Sequence, residues 1–355
     1  MPLPIASLSL DLDNKWSYMK THGDRGWENF PSYLDGVVPR FLDLLDGLGL
    51  RITVFIVGQD AALPKNREPL AALAAAGHEI GNHSFHHEPW LHLYSPEQIE
   101  SEISSAEDAI FSATGVVPTG FRGPGYSLSP AVLDCLARRG YRYDASTLPT
   151  VIGPLARAYY FFSARLNDDE RRQRRRLFGK WTDGFQRIRP YWWQITEDAA
   201  ATEYRERMLE IPVTTMPVFR VPIHFSYLLY LCTFSRWAAW SYWRTAMNAC
   251  RLTGVEPSLL LHPLDVLGGD EEPDLSFFPA MQMTGVAKRS FVRKLLADFS
   301  RRFRVLPLGE HAALLAKRSG LPTRKAIVTE RPVPRNENVS PLRSEPVFTV
   351  EAGRQ

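Results

Sequence analysis

With 355 residues, 45% of them hydrophobic and 23% charged, the chain is long enough to bury a large core and has the balance of a globular enzyme, not of a disordered or fibrous protein. Its formal net charge of +3 is too small to argue for nucleic acid as a partner. The three cysteines, Cys135, Cys232 and Cys250, are too few and too widely spaced for a disulfide framework. With no signal-like N-terminus and no apolar run of about 18 residues, they set the expectation of a cytoplasmic protein without a membrane span.

Residues 5–13 alternate apolar with small or acidic side chains and read as a first strand. Ser32 to Leu50 carries apolar residues at helical spacing and is closed by Gly49. Ile52 to Val57 is a β-branched strand, and Arg67 to Ala76 an alanine-rich helix stopped by Gly77. His78 to Asn82 reads as a third strand. Ser95-Pro96-Glu97-Gln98 opens a helix to about Ser112 with a capping serine, proline at the first position and glutamine at the third. Val116 to Phe121 is a fourth strand ending at Arg122. Ser129-Pro130 caps a helix to Arg139, and Tyr141 to Ala145 is a fifth strand. Five such units in register imply a parallel α/β fold, in which chemistry gathers at the carboxyl ends of strands.

The rhythm breaks at an insertion of about 147–209, where the aromatic clusters Tyr159–Phe162 and Tyr191–Trp193 flank the basic run Arg171–Arg176. Strand character returns at Glu210–Thr214 and Val218–Val221, followed by an aromatic helix over about Ser226–Arg251 and a strand Ser258–Leu261 that ends at His262. Helix Lys288–Phe303, strand Arg304–Leu306 and helix Glu310–Lys317 close a catalytic domain of residues 1–318, with 319–355 expected as a disordered tail.

The histidine-rich stretch from Gly77 to Trp90 holds His83 and His87 four residues apart, a spacing that on a helical turn turns both imidazoles to one face. His78, His86 and His92 are read as bystanders. Asp11 and Asp13 alternate with Leu10 and Leu12, so in a strand both carboxylates share a face. Asp13, His83 and His87 would supply one oxygen and two nitrogen ligands, a set suited to a divalent cation, foremost Zn²⁺, with Co²⁺, Ni²⁺ or Fe²⁺ as alternatives. Such a cation acidifies water and polarises a carbonyl, and Asp11 is then the natural general base.

These motifs resemble, in order, those of the polysaccharide deacetylases, the NodB-homology or carbohydrate esterase family 4 enzymes. Leu10-Asp11-Leu12-Asp13 is similar to their first motif in its spaced form, and His83-Ser84-Phe85-His86-His87 to their second. Arg122-Gly123-Pro124-Gly125-Tyr126 resembles the third with Gly125 intervening, Tyr143-Asp144 the fourth and Leu260-Leu261-His262 the fifth. The resemblance implies a distorted (β/α) barrel with a helical, aromatic and basic insertion. It implies that Asp13, His83 and His87 hold the metal, that Asp11 takes a proton from water, and that Arg122 orients Asp11. It further implies that His262 protonates the leaving amine, with Asp144 and Asp265 as partners for Arg122 and His262, and that a main-chain amide around Gly125 and Tyr126 meets the oxyanion.

The expected activity is removal of an N-acyl group, foremost N-acetyl, from an amino sugar of a glycan or lipid-linked saccharide. The spaced Asp-x-Asp form also occurs in branches acting on formamides or cyclic imides, so deformylation of a lipid-linked formamido sugar or imide hydrolysis is a second reading. An inactive barrel serving as a glycan-binding module is a third. From Arg165 to Arg189 nine Lys or Arg stand against four acids among aromatic residues, a mixture suited to an anionic membrane surface. Residues 157–193 and 223–243 are therefore expected as peripheral contacts at the inner membrane face. The oligomeric state is left open.

Overall fold

A computed structural model describes residues 2–151, 186–195 and 206–326. Among the described residues ten strands form one sheet: β1 (Ile5–Asp11), β2 (Thr53–Ile56), β3 (Glu79–Asn82), β4 (Gly120–Phe121), β5 (Tyr143–Asp144), β6 (Tyr191–Gln194), β7 (Arg207–Glu210), β8 (Ser258–Leu261), β9 (Arg304–Leu306) and β10 (Thr323–Lys325). Their spatial order is β8-β1-β2-β3-β4-β5-β7-β6-β10, with β9 added beside the start of β1. Every pair is parallel except β6 with β7, as connections through helices require.

The chain alternates strand and helix for a local reason. Along β1, Ala6, Leu8 and Leu10 are fully buried on one face, and Ser7, Ser9 and Asp11 are buried on the other. A strand covered on both sides needs helices on its outer face. Helix Leu34–Asp46 meets that need with Leu34, Val37, Val38, Phe41, Leu44 and Leu45. Helix Pro96–Thr114 starts at the expected capping box, Ser95 with Gln98, a cap whose loss costs about 1 kcal/mol. Helices Pro130–Arg138 and Gly285–Arg302 begin on Ser129 and Thr284 side-chain caps.

The parallel α/β architecture expected from the sequence is therefore observed. Among the described residues the strand order runs open from β10 to β8, with no ladder closing the expected barrel. Beyond β7 the chain reaches β8 through Thr214 N to Ser258 O (2.9 Å) and Ser258 N to Thr214 Oγ1 (2.8 Å), without a ladder joining the two strands.

Several boundaries differ from the sequence reading. The expected strand Glu210–Thr214 is centred earlier, on Arg207–Glu210, and Val218–Val221 forms no strand: Val218 (φ 72°) and Arg220 (φ 52°) take the left-handed backbone of a tight turn. The aromatic helix is two helices, Phe225–Phe234 and Arg236–Thr253, broken where extended Ser235 caps the second. Within it Phe225, Leu228 and Trp243 are core, while Phe234 and Trp237 are exposed. Tyr191–Trp193 of the insertion is strand β6, and Thr323–Lys325 of the expected tail pairs with it. Tyr159–Phe162, Arg171–Arg176 and 327–355 lie outside the described residues. Among the described residues no helix is long and apolar enough to cross a membrane.

Candidate active site

The carboxyl ends of β1, β3, β4 and β8 deliver the candidate residues. Register pairs Leu10 with Leu261, so Asp11 at the end of β1 and His262 just beyond β8 are side by side. Asp13 lies two residues past β1, in a loop held from below. The Tyr33 hydroxyl donates to the Asp13 carbonyl (2.5 Å), and Asn14 donates to Asp60 Oδ1 (2.7 Å). Trp16 Nε1 donates to the same oxygen (2.9 Å). Burial pushes the Asp60 carboxyl up to about 7 despite these donors.

His83 and His87 converge, with ring centroids 5.0 Å apart, but not on a helical turn. Ser84 (φ 59°) and His87 (φ 55°) are left-handed, which an α-helix does not contain. The loop is pinned by buried Glu102, which accepts from Phe85 N (3.0 Å), His86 N (3.0 Å) and His86 Nδ1 (2.5 Å). His86 is thus a loop anchor, while His78 accepts from Ile52 N and His92 bonds Ser127, away from the pair.

The ligand atoms of Asp13, His83 and His87 all lie within 4.8 Å of one another. Asp13 Oδ1 is 3.5 Å from His83 Nε2 and 3.0 Å from His87 Nε2, yet this buried oxygen has no hydrogen-bond partner. His83 Nδ1 contacts the Arg122 carbonyl at 2.6 Å. A carbonyl can only accept, so Nδ1 carries the hydrogen, and Nε2 is left to face Asp13. Burial opposes charge on Asp13, but the His87 and His83 imidazoles outweigh it and hold the carboxyl well below its usual value. Burial likewise opposes charge on His83, and Asp11 and Asp13 reverse that. Surroundings that stabilise a proton between these groups stabilise a cation there equally, and a divalent ion fits the orphaned oxygen and the two nitrogens.

Arg122 is fully buried, its guanidinium 4.5 Å from the Phe55 ring centroid. Nη1 donates to Asp11 Oδ1 (2.6 Å) and Ser9 Oγ (2.8 Å), and Nε to the Ala145 carbonyl (3.0 Å). The expected Arg122–Asp11 pair is formed. Asp144 is not hydrogen-bonded to Arg122: its carboxylate accepts from Ser146 Oγ (2.6 Å) and Ser146 N (3.1 Å) and stands against Glu210, because β5 and β7 pair at these two residues. Burial raises both carboxyls, and Asp144 raises Glu210 further.

Asp265 accepts from the His262 amide (2.8 Å), not directly from the ring. The ring is reached through Ser226, whose hydroxyl donates to Asp265 Oδ1 (2.8 Å) and lies 3.3 Å from His262 Nδ1. In the third motif Gly123 N donates to Ser146 Oγ, Pro124 has no N–H and Tyr126 N donates to Gly123 O. By elimination Gly125 N, and not Tyr126 N, is the segment's candidate oxyanion donor. A Cβ at Gly125 (φ 57°) would come 3.0 Å from Pro89, so glycine suits both the backbone and the close approach.

Ser226 and buried His224 were not singled out from the sequence. They arrive from the start of the aromatic helix, a segment that the sequence reading marked only as a peripheral membrane contact. Asn14 carried a signal, since an asparagine directly before a helix is a common N-cap.

Fold and site together define an α/β protein with a candidate carboxylate–imidazole cation site beside a buried Asp–Arg pair. Comparisons with known proteins show what part of the chain is similar to. Residues 24–143 match the family model for polysaccharide deacetylase. The chain is 29% identical over 111 residues to a peptidoglycan deacetylase of Helicobacter pylori, 31% of this chain and 37% of that protein. It is 32% identical over 120 residues to the peptidoglycan-N-acetylmuramic acid deacetylase PdaA of Bacillus subtilis, 34% of this chain and 42% of that one. The matched part thus spans less than half of either relative. A solved Mycobacterium smegmatis structure bearing the same family name shares the fold at a TM-score of 0.56, with 18% identity over 91% of this chain and 96% of that one. Over residues 24–143, about a third of its length, the chain is therefore similar to the polysaccharide deacetylases, the family its motif order resembles.

Proposed function

We propose that the protein is a metal-dependent hydrolase that removes an N-acyl group, N-acetyl foremost, from an amino sugar of a glycan. One observation carries this reading: Asp13, His83 and His87 converge around an unpartnered carboxylate oxygen within the same strand-end cluster as the Asp11–Arg122 pair and His262. A divalent cation held by Asp13, His83 and His87 would acidify water and polarise the acyl carbonyl.

The remaining roles belong to the chain. Asp11 takes a proton from the attacking water, whose oxygen bonds to the acyl carbon. Arg122 orients the buried Asp11 carboxylate through its 2.6 Å bond. Gly125 N is placed to donate to the acyl oxygen as it gains charge. When the C–N bond breaks, His262 gives its proton to the nitrogen, leaving a free amine and a carboxylate. Ser226 and Asp265 hold the His262 ring and backbone for that transfer.

The test is acyl release from a panel of N-acetyl and N-formyl amino sugars, free and lipid-linked, by protein loaded with zinc and by protein treated with chelator. Acetate released only by the loaded protein supports the reading. Formate release instead shifts it to the formamide branch, in which the spaced form of Asp11 and Asp13 also occurs. A lipid-linked preference would match the exposed Phe234 and Trp237. Loaded protein that releases neither acid refutes it.

A further inference from the structure

Helix Phe225–Phe234 is aromatic on the side that faces outward. Phe225, Leu228, Leu229 and Cys232 are buried, while Tyr227, Tyr230 and Phe234, spaced three and four residues apart, form an exposed stripe. A helix at the surface of a protein in water carries polar residues there. Just past the break at Ser235, Trp237 in helix Arg236–Thr253 is exposed as well. Phe234 and Trp237 are 72% and 78% exposed, and the Tyr230 ring meets the Phe234 ring edge-on at 5.2 Å. Two helices thus join at a corner tipped with large aromatic side chains open to solvent.

The charge carried by this part of the chain has one sign. From Ile211 to Val255 stand Arg220, Arg236, Arg244 and Arg251, with no Asp or Glu. Arg236 is exposed and directly precedes Trp237. From helix Gly285–Arg302, exposed Lys294 holds its Nζ 4.2 Å from the ring centroid of Trp240, one turn beyond Trp237. A second copy of the chain meeting this face would set these cations against one another. Anionic lipid headgroups neutralise them instead. Tryptophan and tyrosine suit the depth where hydrocarbon gives way to headgroup, and an arginine stem lies along that boundary with its guanidinium among the phosphates.

We propose that the corner formed by Phe234, Arg236 and Trp237 docks on an anionic lipid surface, with the two aromatic rings inserted among the headgroups. Near the other end of the first helix, Ser226 lies 3.3 Å from His262 Nδ1. At about 1.5 Å per residue, Phe234 is about 12 Å from Ser226 along the helix axis, so docking holds the candidate active site close to the bilayer. The sequence pointed to residues 157–193 and 223–243 together, and this inference narrows the contact to one corner. It needs no part of the acyl chemistry.

The test is cosedimentation of the full chain with phosphatidylglycerol–phosphatidylcholine vesicles and with phosphatidylcholine vesicles alone. Acetate release from the N-acetylglucosamine trisaccharide by zinc-loaded protein is followed in parallel. Wild-type protein should bind the anionic vesicles, and less tightly as salt rises. The double variant Phe234→Ser, Trp237→Ser should bind about 100-fold weaker, because two large apolar side chains no longer leave water. Arg236→Gln should bind about fivefold weaker. Phe111→Ser removes an exposed ring from helix Pro96–Thr114 and should change nothing. No binding by the wild type, equal binding to both vesicles, unchanged binding in the double variant, or an equal loss in Phe111→Ser each overturns the proposal. So does a wild-type dimer that the double variant converts to a monomer without any vesicle binding, which would give the face to a second copy. Acetate release without vesicle binding refutes the docking alone, and vesicle binding without acetate release refutes the hydrolytic reading alone.

Discussion

Arg122→Met isolates the pair at the centre of the site. Methionine keeps the unbranched stem against Phe55 but removes the bond to Asp11 Oδ1 at 2.6 Å and the donors to Ser9 Oγ and the Ala145 carbonyl. Breaking a buried ion pair from one side costs about 3–5 kcal/mol, because the remaining charge is left uncompensated. Each neutral bond adds about 1 kcal/mol, though contributions that share a network do not add fully. The net loss should be about 4 kcal/mol in urea unfolding, measured with chelator present so that metal linkage does not enter. Asp11→Asn removes the charge while keeping an acceptor, so in the double variant about half of the Arg122→Met cost should disappear. A coupling energy of about 2 kcal/mol is expected. Strict additivity of the two single variants would refute the inference that Arg122 acts through Asp11.

Asp11→Asn should retain metal and lose turnover by roughly 100- to 10,000-fold, the range for a general base, whereas His83→Ala should lose both metal and turnover. Metal stoichiometry by mass spectrometry separates the two, and a metal-free but fully active His83→Ala protein would refute the ligand assignment. Ser226→Ala should lower kcat by about 10- to 100-fold with KM little changed, since it frees the His262 ring from Asp265, and should alter the pH profile. A wild-type kcat would remove Ser226 from that role. Asp144 and Glu210 both have raised folded-state values, so they hold protons that the unfolded chain releases more readily. Their contribution is fully present below the unfolded carboxyl range and is lost as pH rises through the folded values. Glu210→Gln should cost about 1 kcal/mol at acid pH through the disturbed Trp193 bond and should show a shallower alkaline decline. An unchanged slope of stability against pH would show that the pair does not share a proton.

Much of the fold was legible because its signals are local. The two-residue alternation of Leu8, Leu10 and Ser9 in β1, the heptad-like spacing in Leu34–Asp46 and the Ser95–Gln98 cap each depend on neighbours a few positions away. The order of the motifs likewise placed Asp13, His83 and His87 together before any geometry was known, since successive parallel strands end on one side of a sheet. What the sequence could not carry was the conformation between elements and the pairing of distant ones. The His83–His87 loop keeps its rings close through left-handed Ser84 and His87 and the Glu102 anchor, where spacing alone pointed to a helical turn. Asp144 faces Glu210 and not Arg122, because β7 lies beside β5. Ser226 reaches His262 from 36 residues upstream, on an aromatic helix that the sequence marks only as a surface contact. Hydrophobic periodicity determines which face a residue occupies; packing of whole elements decides which side chain it meets, and in this protein that difference separates the candidate cation ligands from the groups that surround them.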